Sequence, residues 1–411
     1  MIAAIFIIIG FFIYLICYIK SRDILHPLGI GALLWFLTVS ISSITSLYDP
    51  SLQVPISLET NIALFLAGIS FSLPVLLSKE IKKDRFRMQE FHFGIYYRLI
   101  YNFFVLLSIC AFLIRFNGEL LSPPLIFSTG FDLKQSVPIA VPYINFADLA
   151  TPFLAILSIW ELKESKSCST RRRAILLGYV LFCVVSLLVY KVSRGEFVIF
   201  MLGVLYIIVI PRSIIVRFRY LVIVAAFAAL FFYIGSLRIS EESRVSTQFG
   251  SGGINILFSQ LYTYIAMNFQ NLNNLINSNF EPTYIWGGLK FLLKPFFSSA
   301  YETNEIGLTD YTVLFFNAKT YIYYFYNDLG LAGVIFYSLI IGCGLQLVYN
   351  ISVNNTKYFV LIACFMKPII FMFFGNYFFG EFVILIPYFM VLILILNVKS
   401  LSVGRNEFLT K

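Results

Sequence analysis

Residues 174–210 read AILLGYVLFCVVSLLVYKVSRGEFVIFMLGVLYIIVI. Two apolar runs flank YKVSRGE (190–196), which carries Lys191, Arg194 and Glu196 in seven residues. Neither run has the polar face that a helix of a soluble domain needs. The pattern is that of two membrane segments joined by a charged hairpin. The rest of the chain repeats it. Of 411 residues, 59% are hydrophobic and only 12% charged, which leaves too little polar surface for a soluble domain. The expected fold class is all-α: a polytopic integral membrane protein.

Eleven spans are expected, near 2–19, 28–47, 59–77, 95–114, 141–160, 174–189, 197–210, 220–237, 329–349, 358–374 and 379–397. The first run, IAAIFIIIGFFIYLICYI, lacks a basic leader and a small-residue cleavage site, so it reads as a retained helix. The chain then divides into 1–237 (eight helices with short loops), 238–328 (a large outer loop) and 329–411 (three helices and a tail).

The net charge of +9 falls between the spans. SKEIKKDRFR (78–87), ELKESKSCSTRRR (161–173) and PRSIIVRFR (211–219) are the richest stretches, while the loops after spans two and ten hold no Lys or Arg. This alternation predicts the amino terminus outside and the carboxyl terminus in the cytoplasm. The basic charge is then a topology signal with anionic lipid as its partner, and it carries no argument for nucleic acid. None of the six cysteines falls in an outer loop, and no spacing resembles a zinc site. His26 and His92 both fall on the cytoplasmic side, which argues against an outer metal site or an outer histidine base.

Two outer segments are long: 115–140, and 238–328 with its roughly ninety residues. A connector of that size usually carries function. Within it, INILFSQLYTYIAMNFQNLNNLI (254–276) spaces its apolar residues for a helix lying on or dipping into the membrane surface. Trp286 and Lys294 follow as candidate interface anchors.

The arms of the hairpin hold about 16 and 14 uncharged residues, or roughly 21–24 Å of helix against a core about 30 Å thick. YKVSRGE is therefore expected to lie recessed, in a water-filled or protein-lined cavity. Arg194 offers a planar fork of donors suited to phosphate. Gly195 is expected to allow the tight backbone. Glu196 either pairs with Arg194 or acts as a base, and Lys191 adds a second cation for an anion. A plain hairpin with a solvated Arg–Glu pair is the alternative. Arg238 and Arg244, in GSLRISEESR, add positive charge on the outer side, where the charge rule disfavours it; snorkelling and solvation are their plain readings.

Lys367 lies mid-span in ACFMKPIIFMFF, with Pro368 freeing a carbonyl beside it. An intramembrane lysine is either functional or paired with a buried acid, for which Asp148, Asp328 and Glu381 are the candidates. Asp328, in YNDLGLAG, also suits a simple helix cap.

An outer, arginine-lined cavity fits a lipid-linked sugar diphosphate. Arginine neutralises the leaving diphosphate, and a carboxylate takes the proton of an attacking hydroxyl. No phosphate-cradling glycine loop is present on the cytoplasmic side, and none is needed, because the diphosphate bond supplies the energy.

On these residues the chain resembles the O-antigen (oligosaccharide repeat-unit) polymerases of the Wzy type. The matching pieces are SRGE at 193–196, the LR step at 237–238, the long outer loop, and YNDLGLAGVIFYSLIIG at 326–342. The resemblance implies a likeness to C-type integral-membrane glycosyltransferases. The implied activity is periplasmic joining of undecaprenyl-diphosphate-linked repeat units at a bacterial inner membrane, with no metal or other cofactor. A chain-length regulator is an implied partner. Arg194 and Arg238 would contact diphosphate, with Arg244 assisting, and either Glu196 or Asp328 would be the base. An O-antigen ligase of similar layout would be expected to carry a histidine in the large outer loop, and 238–328 has none. A flippase or transporter fits Lys367 but not the long loop. A non-catalytic scaffold would tolerate loss of Arg194 and Arg238.

Overall fold

A computed structural model of the chain describes residues 2–45, 53–79, 89–124, 137–138, 144–165, 168–209, 253–293, 297, 311–313, 318–379 and 399–402. The helices are α1 (Ile2–Ser21), α2 (Pro27–Thr45), α3 (Leu58–Leu77), α4 (Ile95–Arg115), α5 (Asn145–Leu149), α6 (Thr151–Glu164), α7 (Thr170–Val185), α8 (Arg194–Val209), α9 (Gly253–Ile276), α10 (Lys290–Leu293), α11 (Tyr323–Asn354) and α12 (Phe359–Ile370). An unexpected antiparallel ribbon pairs β1 (Gln89–His92) with β2 (Lys399–Ser402), in the register Gln89↔Ser402 and His92↔Lys399.

Among the described residues, six helices are long and apolar enough to cross a membrane: α1, α2, α3, α4, α7 with the turn that extends it to Tyr190, and α11; a shorter apolar helix covers Gly195–Val209. Their surfaces match lipid. Ile8, Phe12, Leu99, Phe103, Leu106, Leu177 and Leu181 are all more than half exposed, which water would oppose and hydrocarbon does not.

The expectation of eleven spans is met in part. The fifth is broken into α5 and α6, because Pro152 opens a new helix and the Thr151 hydroxyl bonds back to the Asp148 carbonyl. The tenth shortens to the 12 residues of α12. The eighth span, and all of the eleventh beyond Phe379, lie outside the described residues.

Chain contacts divide the protein into two compact units. The first contains residues 1–84, 244–350 and 367–383, and the second 85–243, 351–366 and 384–411.

In the first unit, Lys20 at the end of α1 donates to the carbonyls of Val75, Leu76 and Ser78, so it caps the free carbonyls at the end of α3. Tyr349, late in α11, donates to Asp23 in the α1–α2 turn at 3.1 Å. At the other end, the Ser57 hydroxyl caps α3 by accepting from Thr60 N, and Asn273 Oδ1 accepts from both Ser57 N and Thr60 Oγ1 at 2.9 Å. The ends of α1 and α3 and the late part of α11 thus gather together, and the start of α3 meets the end of α9.

Helix α9 does more than lie on a surface. Residues 266–273 are buried, and the helix packs on α2 and α3, with Phe269 against Trp35 at 5.6 Å. Its amide side chains bind irregular chain: Asn271 donates to Ala318 O (2.6 Å) and accepts from Val313 N (2.7 Å), while Asn274 donates to Tyr311 O. Buried main-chain groups need partners, and the asparagine run supplies them.

Helix α11 is interrupted. Leu329 (φ −138°, ψ 19°) and Gly330 (φ 60°, ψ −143°) leave helical geometry, so a short segment ending at Asp328 precedes the long one.

In the second unit, α4, α6, α7 and α8 pack together with polar contacts at their centre. Tyr101 meets Ser158 at 2.5 Å, and Ser108 meets Tyr179 at 2.7 Å. Arg172 makes a two-pronged pair with Glu161 (2.8 and 2.7 Å), bonds Asn102, and lies over the Tyr101 ring at 4.7 Å. Lys163 donates to the Ile207 carbonyl near the end of α8.

Candidate functional site

The hairpin of the second unit begins where α7 loosens into a π-helical turn at Ser186–Tyr190. Lys191 N bonds Ser186 O (2.9 Å) and Ser193 N bonds Leu187 O (3.0 Å), which closes the turn. Val192 adopts φ 45°. A β-branched residue rarely occupies that region, so the strain sits at Val192. Gly195 was expected to allow the tight backbone, but it lies inside the first turn of α8. Ser193 supplies the other half of the turn: its carbonyl accepts from Phe197 N and its hydroxyl from Glu196 N. SRGE is therefore read locally as a capping sequence, Ser at the cap and Glu three residues on.

The Glu196 carboxylate does not complete that box. Its Oε2 lies 2.9 Å from Lys191 Nζ, in an aligned hydrogen bond. Lys191 also donates to the Asp148 carbonyl at 3.0 Å, and sits 2.8 Å from Asp148 Oδ1 in an ionic contact without hydrogen-bond alignment. Asp148 Oδ2 in turn lies 2.6 Å from Arg115 Nη1, and Arg115 Nε donates to Pro138 O. The result is a line of alternating charge: Arg115, Asp148, Lys191, Glu196. Lys191 is 3% exposed and Asp148 2%, while the Glu196 side chain keeps 13%. Burial would push the Lys191 ammonium down, but Glu196 and Asp148 outweigh it and hold the group above its ordinary value.

Several sequence expectations change here. Lys191, expected to meet an anionic ligand, spends its ammonium on protein acceptors. Glu196 takes Lys191 as its ion-pair partner. Asp148, a candidate partner for Lys367, is engaged by Lys191 and Arg115. The first arm of the hairpin is also longer than its apolar run. The Ser169 hydroxyl caps α7, and buried Arg172 lies inside the helix, giving 21 residues from Thr170 to Tyr190. That is about 31 Å, enough to cross the core, so the first arm gives no reason for a recessed turn; the second arm, Gly195–Val209, stays short. Burial of Lys191 and Val192 does give the turn a protein lining.

Arg194 opens α8. Arg238, Arg244, Glu381 and Lys294 lie outside the described residues.

Asp328 belongs to the first unit. It is fully buried. Its Oδ1 accepts from Thr283 Oγ1 (2.6 Å) and Gly287 N (2.8 Å), and its Oδ2 from Gly288 N (2.7 Å). Asn327 completes the knot, donating to Thr283 Oγ1 and accepting from Thr283 N. The carboxylate thus ties 283–288 to the head of α11 instead of capping its own helix. Tyr284 is thrown into φ 54° and stands 65% exposed, and Trp286 packs edge-on to Phe297 at 5.3 Å.

Lys367 is 7% exposed, with its ammonium 4.0 Å from the centre of the Tyr377 ring. A buried ammonium over a ring face is a favourable cation–π contact.

Sequence reasoning passed over Arg115. It ends α4 on the side the charge pattern disfavours, the same signal that drew attention to Arg238. For Thr283, Gly287 and Gly288 no sequence signal exists. Among the described residues, no group of three His, Cys, Asp or Glu gathers as a metal site would require.

Compared with family models, with curated proteins and with solved structures, the chain gives no significant match.

Proposed function

We propose that the chain is an integral-membrane glycosyltransferase that joins repeat units carried on undecaprenyl diphosphate into a surface polysaccharide, at the periplasmic face of a bacterial inner membrane. One observation carries the reading: Glu196, a partly exposed carboxylate, is fixed on the first turn of α8 two residues after Arg194 and backed by the buried ammonium of Lys191.

The chemistry follows from that carboxylate. An acceptor sugar hydroxyl gives its proton to Glu196, and its oxygen attacks the anomeric carbon of the donor chain. The bond from that carbon to the lipid diphosphate breaks, and the diphosphate leaves with the electron pair. Arg194 and Arg238 meet the charge that develops on it. Glu196 is the base in this reading. Asp328 is assigned to holding the 283–288 segment, because both its oxygens accept bonds from that segment.

The test is a gel of surface polysaccharide from wild type, a gene deletion and Arg194→Ala. The expected result is that deletion and Arg194→Ala both leave acceptors carrying a single repeat unit and no ladder. Loss of even the single-unit product on deletion would move the assignment to a flippase or a ligase. A full ladder from Arg194→Ala at normal protein level would remove the hairpin from the site.

A further inference from the structure

We infer that Arg115, Asp148 and Lys191 are positioning residues that aim Glu196 at the acceptor hydroxyl, an inference that rests on the glycosyl-transfer reading above. Three observations carry it. First, the Lys191 ammonium is committed. It has three donors, and three oxygens of this protein surround it: Asp148 O, Asp148 Oδ1 and Glu196 Oε2. Lys191 does not reach a ligand; it acts through Glu196. Second, the line is graded in exposure. Asp148 and Lys191 are buried, and the Glu196 side chain keeps a path outward. Third, the backbone around Lys191 is not a relaxed turn. A π-helical turn precedes it and Val192 follows at φ 45°, so the fold accepts strain where the ammonium is delivered.

The line draws on separate parts of the sequence: the end of α4, helix α5, the hairpin and the start of α8. Arg115 fixes Asp148, Asp148 fixes Lys191, and Lys191 fixes one oxygen of Glu196. The other oxygen, Oε1, remains to accept a proton. From α7, the Cys183 thiol is a further titratable group that feels both Lys191 and Glu196.

The test uses the purified full-length protein in lipid nanodiscs, with lipid-linked repeat units isolated from the deletion strain. Turnover is followed against pH for wild type, Glu196→Gln, Lys191→Met, Arg115→Gln and Asp148→Asn. Rate rises with pH as the base ionises. Lys191→Met and Arg115→Gln remove positive charge, so the acid limb moves up, further for Lys191→Met, which touches Glu196 directly. Asp148→Asn removes a negative charge, so the limb moves down. A merely structural cluster would not give shifts of opposite sign. If Lys191→Met does not accumulate, Arg115→Gln and Asp148→Asn still oppose each other and decide. Unmoved limbs in the soluble variants, with turnover lost only in step with thermal stability, would overturn the inference. Retained polymerisation by Glu196→Gln, or none by wild type, would instead overturn the function proposed above.

Discussion

The carboxylate of Asp328 fills the space in which a side chain at Gly287 would stand. A Cβ at Gly287 would meet Oδ1 at 2.7 Å, and one at Gly288 would meet Oδ2 at 2.8 Å. Both distances are below any real Cβ contact, and both glycines also give the carboxylate their N–H. Gly287→Ala and Gly288→Ala should each cost about 1–3 kcal/mol, as overpacking of a filled site does. Asp328→Asn keeps the size but turns an amide N–H toward a donor, for a loss of about 1–3 kcal/mol. Thermal unfolding in detergent measures all three.

Arg172 and Glu161 form the most buried ion pair among the described residues outside the hairpin, with side chains 5% and 1% exposed. Glu161→Gln leaves a buried guanidinium short of a counter-charge, and about 3–5 kcal/mol should be lost. Arg172→Lys should recover little of the deficit left by Arg172→Ala, because an ammonium replaces neither the fork nor the stacking over Tyr101. Folded yield and melting temperature of the three variants check this.

Gly330 has φ 60° and ψ −143°, with open space where a Cβ would sit. Gly330→Ala should therefore cost only backbone strain, about 1–3 kcal/mol, with no repacking. Gly333→Ala faces the Phe325 carbonyl and should cost more. The two melting temperatures rank the effects.

His26, in the α1–α2 turn, is fully buried against the Tyr349 ring at 4.2 Å, with neither ring nitrogen hydrogen-bonded. Burial lowers its pKa from 6.5 to about 4, against a smaller upward pull from Asp23. Above pH 6.5 the ring is neutral folded or unfolded, and it contributes nothing to the pH dependence. As pH falls from 6.5 to 4, the unfolded chain takes a proton that the folded one refuses. Stability should drop across that window by about 3 kcal/mol and level off below it. His26→Phe keeps a ring against Tyr349 and should flatten this part of the unfolding profile between pH 7 and pH 4.

The first four spans were legible to within two residues, because each is a long stretch dominated by apolar side chains. Legibility failed wherever a polar side chain is satisfied inside the fold. Arg172 looked like loop because arginine ends an apolar run, yet Glu161 and Asn102 draw it into α7. Asp148 reads in sequence as a candidate partner for Lys367, yet Arg115 and Lys191 hold it where the helix breaks. The candidate site divided along the same line. Glu196 could be picked out as the hairpin's carboxylate, since only the local sequence was needed. Its backing could not, because Lys191 and Asp148 are 43 residues apart and no spacing rule links them. Gly195 misled for a local reason: glycine is the expected left-handed residue, and here Val192 takes that conformation.

Lys20 and Lys163 lie in the last turns of α1 and α6. In the folded protein each donates to carbonyls of a helix made later in the chain, Val75, Leu76 and Ser78 for Lys20 and Ile207 for Lys163. Each lysine thus satisfies carbonyls that the end of another helix leaves free, and it ties that end to a segment far away in sequence. Loss of either ammonium would leave those carbonyls without that partner, so its effect would reach a helix the lysine does not belong to.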